Sequence, residues 1–302
     1  MHTIGITGGT GFIGQHLTAL LVSKGYDVVI FTRSAARKTD KHVTYAHWDV
    51  EKRTCDINPL KELDAVVNLA GEGLADKRLT DKRKQLIIDS RVKSTEFLLG
   101  KLREYSPHCK TLVSASAIGY YGPDREGAVP FTETAAPYTD FLGDTCRLWE
   151  SASQKGNEFL RTVIIRMGIV LGKDGGAYPR FARPVSLGIM PILGPGTQMV
   201  SWIAIDDLAR LFLYALEHDE ISGTYNAVAP DPVSQWLLIR TIAKVKGGIR
   251  IPTHIPAFVL EILLGEMSSE VLKSCTVSAQ KTLGSGFTFH YADITSAIQV
   301  LN

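Results

Sequence analysis

The sequence predicts an α/β protein: a doubly wound parallel sheet with a smaller C-terminal lobe. Three observations carry this. Short β-branched runs alternate with longer helical stretches through the first half, a glycine-rich turn joins the first run to the first helix, and the regularity fades after Gly172. Strands covered by helices on both faces are buried on both sides and read as near-continuous apolar runs, which is what these segments are.

Taken in order, TIGIT is the first strand, FIGQHLTALLVSKG the first helix, and DVVIFT, HVTYAHW and LDAVVNLAG the next strands. A long helix is predicted over 79–105, a strand at KTLVSAS, a helix over 139–159, and one strand through RTVIIRMGIVLG. Beyond Gly172 come the Gly- and Pro-rich connections KDGGAYPR and ILGPGTQ, a helix over 206–218, a strand over 224–229 and further helix. There is no internal repeat, low-complexity tract or flexible linker, so the two halves are expected to pack directly. Residues 1–172, with part of 205–230 returning, form the sheet domain, and 173–302 form most of the C-terminal lobe.

Charge is nearly balanced, with 33 Lys and Arg against 31 Asp and Glu, so no nucleic acid or anionic membrane is expected as a partner. The densest basic run, DKRLTDKRKQ from Asp76, interleaves acids and bases at helical spacing and reads as a solvated helix face. Cys55, Cys109, Cys146 and Cys275 are scattered and form no C-x-x-C, which predicts reduced, mostly buried thiols rather than a zinc site or a disulfide framework. The start MHTIGITGG lacks a basic region and a long apolar stretch, and no later apolar run reaches the ~20 residues of a membrane helix. A soluble cytoplasmic protein is expected.

TGGTGFIG follows a strand and opens a helix, the context in which a glycine pattern carries weight. Gly8, Gly11 and Gly14 give G-x-x-G-x-x-G, and Gly9, Gly11 and Gly14 also satisfy G-x-G-x-x-G, so two dinucleotide-fold variants stay open. In both, glycine allows the tight turn and close approach of backbone to pyrophosphate, while the helix N-terminus offers unpaired N–H groups to phosphate. The segment with Thr10, Phe12 and Ile13 is therefore the expected cofactor cradle, and the sheet domain is Rossmann-type. An NAD site ends its second strand with an acid for the ribose 2′-hydroxyl, whereas a 2′-phosphate calls for Arg. Here the strand ends in Thr32 and Arg33, no acid precedes Asp40, and Arg37 and Lys38 follow, which favours NADP(H) with Arg33 on the 2′-phosphate. Asp49 is a candidate for the adenine amino group or for capping the next turn.

The order of motifs resembles the extended short-chain dehydrogenase/reductases, through NLAG (Asn68 to Gly71), SASAIGYYG (Ser114 to Gly122) and SWIAIDDLA. With LWE, RTVIIRMGIVLG, GPGTQ, NAVAP and LLGEM, almost the whole chain is similar to an atypical epimerase-like subgroup, also labelled cell-division inhibitor, that ends in a domain of unknown function. Met190, Pro191, Thr197, Ala204, Cys275, Thr276 and Ala279 depart from that subgroup's pattern, all in the lobe expected to take the substrate. The resemblance implies cofactor positions at Leu69, Ala70, Gly71, Ser114 and Ala115, Arg166 and Gly168 lining the nicotinamide side, and Gln198, Ser201 and Trp202 facing a substrate cleft.

Ordinary members of the wider family carry Tyr and, four residues on, Lys, whose charge lowers the phenol pKa for proton exchange during hydride transfer. Counting back from Glu150, which matches the family's glutamate, puts Leu142 and Cys146 in those positions, and none of the ten tyrosines has Lys four residues on. The remaining catalytic candidates are Ser116, the family-type serine, with Ser114 a second candidate one pleat back, and the phenols of Tyr121 and Tyr120, with Asp140, Asp144 and Lys155 more distant. No P-loop, H-E-x-x-H or G-x-S-x-G is present. Two functions stay open: an NADP(H)-dependent oxidoreductase or epimerase-like enzyme on a small carbonyl or hydroxyl substrate, a sugar nucleotide being one candidate, or an NADP(H)-binding sensor or regulatory partner without full catalysis.

Overall fold

The computed structural model describes residues 2–34, 40–74, 78–127 and 129–302. β1 (Thr3–Thr7) leads into α1 (Phe12–Ser23), followed by β2 (Asp27–Thr32), β3 (Val43–Asp49), β4 (Thr54–Cys55), the short α2 (Asn58–Lys61) and β5 (Ala65–Asn68). α3 (Asp81–Tyr105), β6 (Thr111–Ala117), a 3-10 turn (Ile118–Tyr120), α4 (Phe141–Gln154) and β7 (Arg161–Met167) complete the first half. Then come β8 (Ile169–Gly172), β9 (Gly175–Gly176), α5 (Tyr178–Ser186), β10 (Ile189–Leu193), β11 (Met199–Val200), β12 (Trp202–Ala204), α6 (Ile205–Glu217) and β13 (Gly223–Ala227). The chain ends in β14 (Val233–Ser234), α7 (Gln235–Lys246), β15 (Ile251–Ile255), α8 (Ala257–Leu264), α9 (Met267–Leu272), α10 (Gln280–Gly284) and α11 (Ile294–Leu301).

Eight strands form the main sheet in the order β13-β7-β6-β5-β1-β2-β3-β4. All its neighbours run parallel except β3 and β4. Residue alternation sends Val28 and Ile30 into a core with Leu17 and Leu21 of α1 and Leu208 and Phe212 of α6. Val29 and Phe31 join the opposite layer, with Leu98 and Leu102 of α3. This is the Rossmann-type, doubly wound arrangement expected, and the order reverses at β1, from which β2 and β5 lead away in opposite directions. Thr80 caps α3 by accepting from the Arg83 N–H, and Asp140 caps α4 by accepting from Gly143 N–H at 2.7 Å, so both helices begin where a polar residue satisfies their first amides.

A further core, from Tyr178 and Val185 of α5, Ile192 of β10, Trp202, Leu238 and Ile242 of α7 and Ile298 of α11, fills the C-terminal lobe. Asp207, buried in α6, accepts from the His290 and Tyr291 N–H groups, both at 2.9 Å, and so ties the last segment of the chain to the helix that packs on α1.

Two expectations are corrected here. RTVIIRMGIVLG is not one strand: it breaks at Gly168, sending β7 into the main sheet and β8 alongside β12. A Cβ on Gly168 would lie 2.7 Å from the Ser201 carbonyl oxygen, so the backbones cross where only glycine fits. The basic run from Asp76 is not wholly a solvated face, because Arg83 is buried against Glu72, with Nη1 to Oε1 at 2.6 Å. Asp76 and Lys77 lie outside the described residues. Among the described residues, no helix is long and apolar enough to cross a membrane.

Candidate functional site

The C-terminal end of β1 opens onto the glycine turn. Gly8 has φ +71°, and a Cβ there would lie 2.7 Å from the Leu69 carbonyl. A Cβ on Gly14 would lie 2.5 Å from the Gly8 carbonyl oxygen and from Gly9 Cα. The turn therefore closes only with glycine: Gly8 lies against the chain at Leu69 and Ala70, and Gly14 against Gly8 and Gly9. Gly11 caps α1 without a side chain, and the first turn holds no acid. The first amides of α1 have no partner within the helix and point out of its end. The Phe12 ring turns inward, filling the space that side chains on Gly172 and Gly175 would need.

At the adjoining end of β2, Thr32 Oγ1 accepts from Ser34 N–H at 3.3 Å, and Arg33 is exposed with no partner among the described residues. Arg37 and Lys38 lie outside the described residues. Asp49 caps the next turn, accepting from Lys52 N–H at 3.0 Å through Oδ1, and that backbone hydrogen bond holds its carboxyl below the ordinary carboxylate value.

On the other side of β1, the loop after β5 is braced by the inner face of α3. Arg83 reaches Glu72 and the Gly73 carbonyl, Ser90 Oγ accepts from Glu72 N–H at 3.0 Å, and Arg91 donates to the Glu72 carbonyl at 3.1 Å.

The expected catalytic stretch is largely interior. Ser114 Oγ meets Ser153 Oγ at 2.9 Å and accepts from Asn68 Nδ2, and Ala115 is part of the core. Ser116 has no exposed surface and donates to Glu150 Oε1 at 2.6 Å. Arg166 grips the same carboxylate twice, Nε to Oε1 and Nη2 to Oε2, both at 2.8 Å, and its Nη1 donates to the Tyr121 hydroxyl at 2.8 Å. Tyr121, also without exposed surface, donates its hydroxyl hydrogen bond to Asn226 Oδ1 at 2.7 Å. Burial, partly offset by Arg166, pushes the Tyr121 phenol up to about 12. Burial would pull the Arg166 guanidinium down, but the Glu150 carboxylate outweighs it and holds the pKa above the ordinary arginine value.

These contacts correct several expectations. Ser116 and Tyr121 have their hydroxyl protons committed inside the protein, and Arg166 lines no nicotinamide surface because its guanidinium is enclosed. Ser114 and Ala115 sit beneath the surface, and Gly168 is buried at the crossing with Ser201. Gln198, Ser201 and Trp202 are buried too: Gln198 Nε2 donates to the Leu193 carbonyl at 2.9 Å, Ser201 Oγ to that of Cys275 at 2.8 Å and Trp202 Nε1 to that of Asp231 at 3.0 Å. Asp140 is a helix cap, Asp144 pairs with Arg147 and Lys155 with Glu96.

Leu142 and Cys146 lie where the count from Glu150 puts them, at the end of β6. A Cβ on Gly119 would lie 3.3 Å from Leu142 Cβ and 3.9 Å from Cys146 Sγ. Burial pushes the Cys146 thiol up to about 12, so it is neutral. Among Ser114, Ser116, Tyr120 and Tyr121, Tyr120 alone keeps exposed surface. Its ring lies 3.5 Å below the Arg166 guanidinium, and its hydroxyl has no partner among the described residues. Sequence reasoning assigned no role to Asn226, to Glu133, whose carbonyl accepts from Arg166 Nη1 at 3.2 Å, or to Arg91. The signal for the first two was Arg166 itself, a cation inside an apolar strand that needs buried acceptors; for Arg91 it was the inward stripe of Arg83, Ile87 and Arg91 on α3.

A parallel sheet that reverses order at β1, with a glycine turn and an open helix N-terminus at the reversal, defines a dinucleotide-binding type of α/β protein. The chain belongs to the NAD dependent epimerase/dehydratase family, whose model matches residues 4–227; residues 255–301 match a domain of unknown function, DUF1731. It is 38% identical over 301 residues to the epimerase family protein YfhF of Bacillus subtilis (strain 168), covering 99% of this chain and 97% of that one. It is 35% identical over 299 residues to the epimerase family protein SH2119 of Staphylococcus haemolyticus (strain JCSC1435), covering 98% and 97%. The crystal structure of human epimerase family protein SDR39U1 (isoform2) with NADPH superposes with a TM-score of 0.89 at 27% identity, covering 99% of this chain and 98% of that one. The UDP-N-acetylglucosamine 4-epimerase of Bacillus cereus, at 22% identity and a TM-score of 0.74 over 100% of this chain and 95% of that one, shares the fold.

Proposed function

We propose that the protein binds NADP(H) across the reversal at β1 and acts on a small carbonyl or hydroxyl compound, of which sugar nucleotides are one class. The observation that carries this reading is the pairing of the uncapped, acid-free start of α1 with an exposed, unpartnered Arg33 just past β2. The residues fit the cofactor: side chains are excluded from the turn at Gly8 and Gly14, the first amides of α1 are free to take a phosphate, and no acid stands at the end of β2 to repel a 2′-phosphate. The likeness to SDR39U1, solved with NADPH, supports the same choice.

When bound, the nicotinamide supplies hydride transfer. Tyr120 is the proton-carrying group in this reading, because its hydroxyl is unengaged and it follows β6 next to Gly119. The interior commitments of Ser116 and Tyr121, and the apolar pair Leu142 and Cys146, favour the second reading, a dinucleotide-binding protein without full catalysis.

Titration with NADPH and NADH, followed by NADPH oxidation against a panel of carbonyl compounds, separates these. Arg33→Ala is expected to weaken NADPH by roughly tenfold or more, the worth of a charge-assisted hydrogen bond, and NADH hardly at all; equal losses would remove Arg33 from the 2′-phosphate. Tyr120→Phe is expected to abolish any turnover found. Tight NADPH binding with no turnover across the panel is the outcome that selects the second reading.

A further inference from the structure

The inner face of α3 carries two arginines, and the Glu72 carboxylate there pairs directly with only one. Arg83 holds Glu72 at 2.6 Å. Arg91, two turns on, uses Nη1 for the backbone carbonyls of Glu72 and Ile87, both at 3.1 Å, while Nε and Nη2 have no partner and no carboxylate pairs with it among the described residues. It is half-buried, with its guanidinium 5.1 Å from the Trp149 ring, and burial lowers its pKa. The nearby Glu72 charge acts on it only at a distance, and Arg83 already holds that carboxylate, so the free donors of Arg91 remain open to a ligand.

Its position says what that is. A Cβ on Gly71 would lie 3.1 Å from Arg91 Cζ, and Gly71 is itself exposed, so the guanidinium sits beneath the open backbone that leaves β5. With β2 and Arg33 taking the adenosine side of the reversal, the nicotinamide half extends over β5 and β6. On this side α4 offers only Leu142 and Cys146, and Arg91 is near enough for its charge to act on the Cys146 thiol.

We infer that Arg91 anchors the nicotinamide-side ribose, donating from its free Nη2 to the ribose hydroxyls and supplying from α3 the cation that α4 lacks. The inference rests on the dinucleotide reading above, and two ligands keep the two apart. NADPH and adenosine 2′,5′-bisphosphate, which lacks the nicotinamide half, are titrated calorimetrically into wild type, Arg91→Met and Arg91→Lys. The expected result is roughly tenfold or greater loss of NADPH affinity in Arg91→Met, a smaller loss in Arg91→Lys, and unchanged binding of the bisphosphate. Unchanged NADPH affinity in Arg91→Met would overturn the inference alone. Equal losses for both ligands would also overturn it, by making Arg91 a brace for the loop after β5. Failure of wild type to bind either ligand would overturn the dinucleotide reading and this inference with it.

Discussion

Glu150→Gln is a shape-conserving change at the most enclosed charge pair described. The carboxylate and the Arg166 guanidinium are 5% and 4% exposed, and three donors converge on the acid: Ser116 Oγ at 2.6 Å, and Arg166 Nε and Nη2 at 2.8 Å. Glutamine fills the same space, so no cavity forms. It removes the counter-charge, and where its amide nitrogen replaces one oxygen a donor faces a donor. Leaving a buried partner uncompensated costs roughly 3–5 kcal/mol. The lower end applies here, because Arg166 keeps the Tyr121 hydroxyl and the Glu133 carbonyl. At about 2 cal/mol/K of unfolding entropy per residue, a 302-residue chain loses roughly 1.6 °C of Tm per kcal/mol, so the single variant is expected to melt about 5 °C lower. Scanning calorimetry measures this, and Glu150→Gln with Arg166→Met completes the cycle: with both charges gone, most of the loss should return. A single variant within about 1 °C of wild type, or a double variant no better than the single, would refute the idea that this pair is a costly, mutually dependent unit.

Two further outcomes follow from the geometry. Gly14→Ala should abolish dinucleotide binding by calorimetry and lower the Tm, since its Cβ would sit 2.5 Å from backbone at Gly8 and Gly9, which cannot move without opening the turn. Retained affinity would show that the cradle is softer than its packing implies. Burial raises Cys109, Cys146 and Cys275 from 9.0 to about 12, so these thiols stabilise the fold fully below pH 9 and lose that contribution as pH climbs toward 12, by up to about 1.4 kcal/mol per pH unit each. The Tm should therefore fall progressively above pH 9, with a shallower fall in Cys146→Ala; identical slopes would contradict the burial assigned to that thiol.

The sheet was legible because its strands are short, β-branched and bounded by turns, and because period-2 alternation sends residues such as Val28 and Val29 to opposite layers. The break inside RTVIIRMGIVLG was not. Both halves are equally apolar, and what divides them is the approach of Ser201 and Val228 to Gly168, residues distant in sequence. The glycine turn was legible because backbone geometry there admits one residue type. The place of Arg33, exposed just past β2, was legible because the apolar run of that strand stops at Thr32. The network joining Ser116, Glu150, Arg166, Tyr121 and Asn226 was hidden, since its members come from β6, α4, β7, the loop after the 3-10 turn and β13, and no local spacing links them.

The serines of SASAIGYYG looked catalytic because small hydroxyls at a strand end beside a cofactor can bond a reacting oxygen. Their actual partners follow from how α4 crosses β6. Ser114 meets Ser153 and Ser116 meets Glu150, and further toward the helix N-terminus Gly119 meets Cys146 and Leu142. Residues 142, 146, 150 and 153 are one inward stripe at helical spacing, so each step along the strand and its following turn meets the next position up the helix. The polar half of that stripe is deep and consumes the serines; the half near the open end is apolar. A phenol or ammonium on this stripe would have to replace Leu142 or Cys146, and an ammonium at 146 would be buried beside Arg91. The cation on this side comes from α3 instead: the Arg91 guanidinium lies against the α4 ring of Trp149 and under the exposed backbone of Gly71.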